Sequence, residues 1–366
     1  MKVFYIAETA LHNKSAYSQH VIKMCDAFGQ NSANTTLIVP NEKKNINFIK
    51  LKKKFLLNSK RNIKINSVMN HKISNFFERI VFSIRTCQFL KNDKYSLIIT
   101  RSLYTSIFLS LMKIHHFVEI HTEQKSITKF LFKNLNFINS KYIIKVIFIS
   151  KALTRLYNVN KKKFIVLHDG TDPKNFKQNK KIGKIKSATY IGSFYKGRGI
   201  ELIIKLADRF KSINFYLYGR NNLEGKIKLS NVKIYNHIDY LKVPKILSKS
   251  DLLLMPYSND VSVNANNLNT ANYCSPLKMF DYLAAGKIII SSKLDGILEV
   301  LKHKYNSIIV SEYKFENWEK SINDVLKNKF NLNTICKNSI RTAEKYSWKN
   351  RANKIINEYK IFKSKK

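Results

Sequence analysis

Residues 275–286 read SPLKMFDYLAAG, and residues 287–292 read KIIISS. Ser275 is a favourable N-cap residue and Pro276 suits the first helical position, so the first segment predicts a helix that begins here. Gly286 then ends the helix as a C-terminal glycine commonly does. The apolar run that follows predicts a buried strand. A helix that leads directly into a buried strand is typical of an α/β fold.

The same helix carries groups that suit an anion. A helix N-terminus presents unpaired backbone N–H groups to a phosphate. Lys278 and Asp281 lie three residues apart on one face. A cation and an acid beside such a helix end suit a nucleotide diphosphate, with the acid on the ribose hydroxyls. An ordinary surface helix with an i,i+3 ion pair explains the local pattern equally well.

Strand-like runs alternate with helical patterns on both sides of this segment. In the first half they are Val3–Ile6, Thr35–Val39, Leu97–Ile99, Phe117–Ile120, Ile143–Ile149 and Phe164–Leu167. In the second half they are Thr189–Ile191, Asn214–Tyr218, Val232–Tyr235, Leu252–Met255, Ile288–Ile290 and Ser307–Val310. One helical pattern in the first half repeats Ile73, Phe76, Phe77, Ile80, Val81 and Ile84 at a period of about 3.6 residues.

This alternation predicts an α/β protein with two Rossmann-like, doubly wound domains that face a cleft. The basic, apolar-poor segment Lys177–Lys186 separates the two series and is predicted to be a linker. The predicted domains are residues 1–180 and residues 187–345. Ligands of such sheets bind at the carboxyl ends of the strands.

The chain is strongly basic. Its 366 residues include 66 Lys and Arg against 24 Asp and Glu, a net charge of +42. That balance favours an anionic partner, such as nucleic acid, an anionic membrane surface or a phosphorylated substrate. Lys, Asn and Ile are abundant throughout the chain, so compositional bias explains part of the charge. No RRM, KH, helix-turn-helix or zinc-finger pattern is present, so no specific nucleic-acid partner is expected.

The charge is concentrated in acid-free stretches of the first half, between Lys43 and Lys64 and between Glu123 and Asp169. The run Lys50–Lys64 also contains apolar residues such as Leu51 and Phe55. It is predicted to be either a basic amphipathic patch for an anionic membrane or a solvated loop. No apolar run reaches the roughly 18–20 residues that span a bilayer. A cytoplasmic protein, peripheral on the inner face of the membrane, is therefore expected.

The four cysteines lie far apart and form no C-x-x-C pair, which argues against a zinc site and against a disulfide framework.

Two other motifs carry polar residues that suit ligand binding. The turn Gly192–Gly199 follows a predicted strand, and its backbone amides, with Arg198 or Lys196, suit a phosphate. Its spacing is not that of a P-loop, so a plain glycine turn stays open. His121 ends a strand candidate, where it has either a structural role or a bond to a sugar.

Taken in order, these segments resemble the retaining glycosyltransferases of family 4, which have the GT-B fold. The most specific part is the second half, with residues 190–199, Asp251–Tyr257, Ser275–Gly286 and Gly296–Glu299 in the family's order. His168–Asp172 resembles the family's interdomain segment, and Glu119–His121 resembles its acceptor-side E-x-H motif. Trp348 is similar to the start of the family's last helix, here residues 348–364, which crosses back onto the first domain.

Two departures from the family are visible. The family's E-x7-E motif places its second acid at Asp281 and its first at Tyr273, which is not acidic. The family's Gly-Gly pair is missing from the first loop, Glu8–His20. A branch of the family with S-P-x-K-x-x-E-Y-x-A-x-G resembles this chain best.

The resemblance implies a glycosyltransferase that moves a sugar from a nucleotide diphosphate sugar to a glycan or lipid-linked acceptor with retention of configuration. It implies a hexosyltransferase-like enzyme of polysaccharide or lipopolysaccharide biosynthesis that uses neither a metal nor another cofactor. The implied catalytic residues are Arg198 and Lys278, which stabilise the leaving diphosphate, and His121, which faces the donor sugar. The residues implied to bind the nucleotide sugar are Gly192, Ser193, Gly219, Tyr257, Ser275, Pro276 and Asp281.

Two alternatives stay open at this point. A nucleotide-sugar 2-epimerase shares the fold, although it would need further acids and histidines around the cleft. A non-enzymatic protein that binds RNA or a membrane through its positive charge is the other.

Overall fold

The computed structural model describes residues 1–11, 15–41, 48–124, 129–130, 136–177, 182–220, 227–261 and 269–365. Two compact units divide the chain. The first comprises Met1–Asp169 together with Trp348–Lys366, and the second comprises Gly170–Ser347. The division lies before the predicted linker, because residues after Asp169 pack within the second unit. Thr171, for example, pairs with Ser347 in an isolated bridge.

The first unit is a seven-stranded parallel sheet in the order β3-β2-β1-β4-β5-β6-β7. Its strands are β1 (Lys2–Ile6), β2 (Asn34–Val39), β3 (Lys64–Ser67), β4 (Leu97–Thr100), β5 (His116–Ile120), β6 (Ile143–Phe148) and β7 (Phe164–Val166). Its helices are α1 (Ala16–Gln30), α2 (Phe48–Phe55), α3 (Phe76–Leu90), α4 (Leu103–Leu111), the short α5 (Lys151–Thr154) and the last helix of the chain, α12 (Trp348–Ser364).

The second unit is a six-stranded parallel sheet in the order β10-β9-β8-β11-β12-β13. Its strands are β8 (Ser187–Ile191), β9 (Asn214–Tyr218), β10 (Val232–Tyr235), β11 (Leu252–Met255), β12 (Ile288–Ser292) and β13 (Ile308–Val310). Its helices are α6 (Ile200–Arg209), α7 (Val243–Ser248), α8 (Leu277–Ala285), α9 (Asp295–Leu298), α10 (Phe315–Leu326) and α11 (Leu332–Lys345).

Both sheets are doubly wound, and each has a switch point where the strand order reverses. In the first unit it lies between β1 and β4, and in the second between β8 and β11. Right-handed crossovers place the helices on either side of such a point on opposite faces of the sheet. The carboxyl ends of the two central strands thus border a crevice in each unit. Residues that follow β8 and β11 are therefore the natural ligand contacts of the second unit.

The helix predicted from residues 275–286 is α8, and it starts one residue later than predicted. Its N-cap position is Pro276 rather than Ser275, and no side chain caps it. Proline fits this position because it has no N–H to satisfy. Gly286 ends the helix with a φ of 62°, the left-handed conformation that favours glycine. The buried strand β12 follows at once, as the sequence predicts.

One strand was missed. The edge strand β3 reads Lys-Ile-Asn-Ser and pairs only with β2 among the described strands. An edge strand that is open on one side does not need a continuous apolar run, so its pattern gives little signal. No helix among the described residues is long and apolar enough to cross a membrane.

Candidate functional site

Lys278 lies in the first turn of α8, at the switch point of the second unit. Its Nζ is 3.6 Å from the centre of the Tyr190 ring and 5.6 Å from that of Tyr257. Tyr190 lies in β8 and Tyr257 follows β11, so the amino group sits above the ends of the two central strands. This Nζ is buried and has no hydrogen-bond partner within the described part of the chain.

Burial and the nearby Arg198 guanidinium lower the pKa of Lys278 well below its usual value. A buried ammonium without a counter-charge is costly, whereas an anion at this position would stabilise it. Gly192 makes room for the amino group, because a Cβ atom at that position would overlap Lys278 Nζ. The arrangement is a basic side chain that an anionic ligand would hold in its charged form.

Arg198 approaches the same point from the glycine-rich turn. The centre of its guanidinium is 5.0 Å from the centre of the Tyr257 ring. The turn is fixed by Gly199, which has a φ of 73° and lies so close to the Pro256 carbonyl that a Cβ would collide with it. Lys196, the other basic residue of the turn, points away and pairs with Asp260 at 2.7 Å. Only Arg198 of the two thus lies beside Lys278.

The remaining residues predicted to bind the nucleotide sugar surround this pair. The Ser193 carbonyl accepts a hydrogen bond of 2.8 Å from Tyr190. Gly219 follows β9 and packs against the Gly192 carbonyl and the Phe194 ring, with no space for a side chain. Ser275 Oγ is buried and lacks a hydrogen-bond partner among the described residues. Its hydroxyl is therefore not a helix cap but an unused polar group beside the start of α8.

Asp281 does not form the ion pair with Lys278 that the i,i+3 spacing left open as the alternative. Its Oδ1 accepts hydrogen bonds from Thr171 at 2.8 Å and from Tyr240 at 2.9 Å, and the residue is only 6% exposed. The i,i+3 spacing brought the two residues to one helix, but Lys278 turns towards the tyrosine rings instead. Tyr273, at the position of the family's first acid, is also buried.

A cavity of about 550 Å³ opens at the carboxyl ends of β11, β12 and β13. Its lining includes Tyr257, Ser258, Asn259, Ser292 and Tyr313. These hydroxyl, amide and aromatic groups suit a polar ligand of moderate size, and the volume is within the usual range for small-molecule sites. Since Tyr257 also touches the basic pair, the cavity and the pair share one border.

The first unit has a buried polar cluster around Glu119, near the carboxyl end of β5. One oxygen, Oε1, lies 2.7 Å from Arg351 Nη2, 2.6 Å from His121 Nε2 and 2.9 Å from His20 Nε2. The other, Oε2, accepts from the Tyr5 hydroxyl at 2.8 Å. Burial raises the pKa of a carboxyl group, but Arg351 and His20 hold the pKa of Glu119 well below its usual value.

His121 is part of this cluster and is partly exposed, with 17% of its side chain accessible. Burial, followed by the charge of Arg101, lowers the pKa of His121 to about 3. The imidazole is therefore neutral at pH 7. When Nε2–H donates to Glu119, Nδ1 is left as an acceptor for a hydroxyl group.

The sequence patterns did not predict Arg101 as a residue of the site. It directly follows β4, its guanidinium is 4.0 Å from the centre of the Tyr17 ring, and its buried Nη1 has no hydrogen-bond partner among the described residues. The signal that points to it is the Thr100-Arg101-Ser102 sequence at the end of a buried strand. An arginine at a strand's carboxyl end borders the crevice of a doubly wound sheet.

His20, Glu119 and His121 offer three ligand atoms within 4.8 Å of one another. The spacing of these three ligand atoms suits a transition metal ion. However, Glu119 Oε1 already accepts from Arg351, whose positive charge opposes a cation at the same oxygen. The residues present thus fit an internal ion pair better than a metal.

Comparisons with known proteins find similarity in sequence and in fold. Residues 171–343 match the family model described as Glycosyl transferases group 1. The chain is 26% identical over 263 residues to the uncharacterized glycosyltransferase MJ1069 of Methanocaldococcus jannaschii, over 64% of this chain and 60% of that protein. The match thus spans less than two thirds of that relative.

Solved structures share the fold across the whole chain. A glycosyltransferase from Rickettsia africae ESF-5 superposes with a TM-score of 0.72 at 14% identity, covering 98% of this chain and 97% of that one. Anabaena Alr3699/HepE in complex with UDP-glucose superposes with a TM-score of 0.71 at 12% identity, covering 98% of each chain. WaaG, a glycosyltransferase involved in lipopolysaccharide biosynthesis, superposes with a TM-score of 0.62 at 11% identity, covering 96% of this chain and 98% of that one.

Proposed function

We propose that this chain transfers a sugar from a nucleotide diphosphate sugar to a glycan or lipid-linked acceptor. It has the GT-B fold, and its residues 171–343 match the family model of the glycosyl transferases group 1. The observation that carries the proposal is the buried amino group of Lys278. It has no hydrogen-bond partner among the described residues and lies next to Arg198 at the switch point of the second unit. Two cations at this place suit the diphosphate of the donor.

In the proposed reaction the bond between the anomeric carbon and the diphosphate oxygen breaks. Positive charge develops on the sugar and negative charge on the leaving diphosphate, which Lys278 and Arg198 stabilise. The acceptor oxygen bonds to the anomeric carbon from the face that the diphosphate leaves, and its proton passes to a phosphate oxygen. Configuration is retained, and no metal is required where two cations and the N-terminus of α8 hold the diphosphate.

The other residues take supporting roles in this proposal. Gly192, Ser193 and Gly219 bring backbone close to the donor, and Ser275 with Pro276 presents the start of α8 to it. Tyr257 lines the adjoining cavity. His121, neutral at pH 7, accepts a hydrogen bond from the donor sugar. Asp281 binds the ribose only if a hydroxyl group displaces Thr171 or Tyr240 from its oxygen, so we rank it below the others.

The donor and acceptor classes rest on the neighbours. Alr3699/HepE is solved with UDP-glucose and with UDP, so UDP-glucose is the first donor to test. WaaG acts in lipopolysaccharide biosynthesis, and S. aureus TarM is solved with UDP and alpha-GlcNAc-glycerol. These similarities favour a hexosyl donor and a cell-surface glycan acceptor, with transfer at the cytoplasmic face of the membrane.

The test is the substitution Lys278→Met, which keeps the length of the side chain and removes its charge. We expect transfer to fall by about 10²–10³-fold, because one preorganised charge at the leaving group has been lost. We expect the ligand-free protein to melt about 2–4 °C higher, because the buried amino group no longer opposes folding. Transfer is measured as UDP release from UDP-glucose, with a panel of other nucleotide sugars screened by thermal shift.

Lys242→Met, at an exposed position in the same unit, is the control. It should keep full transfer and an unchanged melting temperature. A parallel reaction with EDTA should proceed at the same rate if the diphosphate needs no metal. Near-normal transfer by Lys278→Met would remove the central claim.

A further inference from the structure

Helix α3 has two apolar faces, and within the described part of the first unit one of them is packed and the other is exposed. Phe82, Cys87 and Leu90 are buried in the core. A second row, Phe77, Val81 and Ile84, points outward with exposures of 74%, 40% and 38%. These three residues are spaced i, i+4, i+7, so they form one continuous stripe on the outer surface. We call it the α3 stripe.

The described residues of the first unit do not cover the α3 stripe. The neighbouring helix α4 contacts α3 elsewhere, through the bond between Ser83 and Thr105 at 3.0 Å and the ring contact of Phe76 with Tyr104 at 5.6 Å. At the carboxyl end of α4, Leu111 is also 62% exposed. A contiguous apolar surface of this kind on a folded protein commonly marks an interaction site.

Among its described residues, helix α2 exposes one apolar side chain, Ile49 at 81%, rather than a row of them, although its sequence is the more basic. Leu51 and Phe55 of α2 and the adjacent Leu57 are buried at 7%, 4% and 6% exposure. The apolar residues that alternate with its lysines therefore hold the helix onto the unit. Three apolar residues of the predicted membrane patch at Lys50–Lys64 are thus not exposed to a bilayer.

The surroundings of the α3 stripe are positively charged. Between His71 and Tyr95 there are five basic residues, Lys72, Arg79, Arg85, Lys91 and Lys94, and two acids. Both acids are engaged: Glu78 accepts from the Ser74 hydroxyl at 2.9 Å, and Asp93 pairs with Lys2 at 2.7 Å. An apolar stripe with a basic border is complementary to an anionic lipid surface.

The α3 stripe also begins beside the carboxyl edge of the sheet. Arg79, in the first turn and a half of α3, pairs at 2.6 Å with Glu8, which follows β1. The other oxygen of Glu8 accepts a 2.5 Å hydrogen bond from Ser102, next to Arg101. A membrane on the stripe would therefore lie near the edge that carries Arg101 and His121.

We infer that the α3 stripe docks the first unit on an anionic membrane surface, with Phe77, Val81 and Ile84 in the headgroup layer and the flanking basic residues over the lipid phosphates. That this docking delivers a lipid-linked acceptor rests on the proposed function. The docking itself does not, and it is measured without any transfer reaction.

The test is vesicle flotation of the full chain with phosphatidylcholine vesicles and with vesicles that contain one third phosphatidylglycerol. The wild-type protein should float with the anionic vesicles, and the double variant Phe77→Ser/Ile84→Ser should bind them at least about tenfold more weakly. Ile361→Ser removes an isoleucine that is 50% exposed on α12 and should bind as the wild type does. UDP binding, measured on the same samples, shows whether the second unit is intact.

Several results would overturn the inference. Wild-type protein that ignores both vesicles, or a double variant that floats undiminished, removes the α3 stripe as a membrane contact. Equal binding to neutral and anionic vesicles removes the anionic partner. A concentration-dependent dimer in light scattering that the double variant abolishes would assign the stripe to a second copy of the chain. If the double variant keeps UDP-dependent transfer but loses flotation, docking and proposed function are separated.

Discussion

His121 illustrates how the surroundings of one side chain set its chemistry. Its pKa of about 3 is far below the ordinary value near 6.5, first because of burial and then because of Arg101. A histidine whose pKa is lowered in the folded state binds fewer protons there than in the unfolded chain. The titration of His121 therefore lowers the free energy of unfolding as the pH falls from about 6.5 towards about 3, and it has almost no effect at pH 7.

We accordingly expect His121→Asn to make the first unit less sensitive to acid. An asparagine amide can still donate to Glu119 but does not titrate. Between pH 7 and pH 5 the wild type should lose about 2 kcal/mol more unfolding free energy than the variant, measured by urea denaturation. His71→Asn, at a side chain that is 58% exposed, is the control and should follow the wild type. An unchanged slope in His121→Asn would contradict the lowered pKa.

Single residues also mark the limit of what the sequence predicts at the site. The sequence predicted Lys278 and Arg198 as neighbours of one ligand, and the structure brings them together around Tyr257. It could not predict the direction of each side chain. Asp281 is on the same helix face by spacing, yet Thr171 and Tyr240, 110 and 41 residues away, take its oxygen. Contacts between residues so far apart in the chain leave no trace in a local pattern.

At the scale of elements, the spacing of apolar residues predicted where the helices and strands lie, but it did not predict which face of a helix is buried. Phe76, Phe77, Ile80, Val81 and Ile84 correctly predicted a helix at α3, but the most exposed apolar residue of that helix, Phe77, comes from this row. Helix period depends on spacing alone, whereas the face that becomes buried depends on the sheet beneath it. The core of α3 includes Cys87 and the polar Ser83 and Thr86, which an apolar count underestimates.

Helix α12 is another element whose role depends on distant contacts. Arg351, on its buried side, donates from Nε to the His168 carbonyl at 2.9 Å and from Nη2 to Glu119 at 2.7 Å. The bond between Arg351 and Glu119 joins α12, the last helix, to the centre of the first unit. Since both charged groups are buried, the loss of one leaves the other without its main partner.

We therefore expect Arg351→Met to destabilise the first unit by about 3–5 kcal/mol, measured by chemical denaturation. The double variant Glu119→Gln/Arg351→Met should lose less than the sum of the two single variants, because it leaves no unpaired charge. Lys354→Met, at an exposed position on the same helix, should change stability by less than about 0.5 kcal/mol. Strict additivity in the double variant would show that the pair does not couple.

At the scale of the whole molecule, the chain places one tryptophan in each unit. It has two tryptophans in all, Trp318 in the second unit and Trp348 in the first. They are 0% and 1% exposed, so the fluorescence of each reports the unfolding of its own core. Trp348 packs against His20 in an edge contact, with ring centres 5.1 Å apart. Trp318→Phe and Trp348→Phe thus give two proteins, each with a reporter in a single unit.

If the nucleotide binds at Lys278, UDP should stabilise the unit that contains Trp318 more than the unit that contains Trp348. A ligand at 100 times its Kd adds about 2.7 kcal/mol to the state that binds it, which corresponds to a rise in Tm of about 5–10 °C for a unit of this size. We expect that rise in Trp348→Phe, where Trp318 reports, and less than about half of it in Trp318→Phe. Adding Lys278→Met to each protein should remove both rises. A larger rise at Trp348 would place the nucleotide in the first unit instead, and the roles assigned to Lys278 and Arg198 would then be wrong.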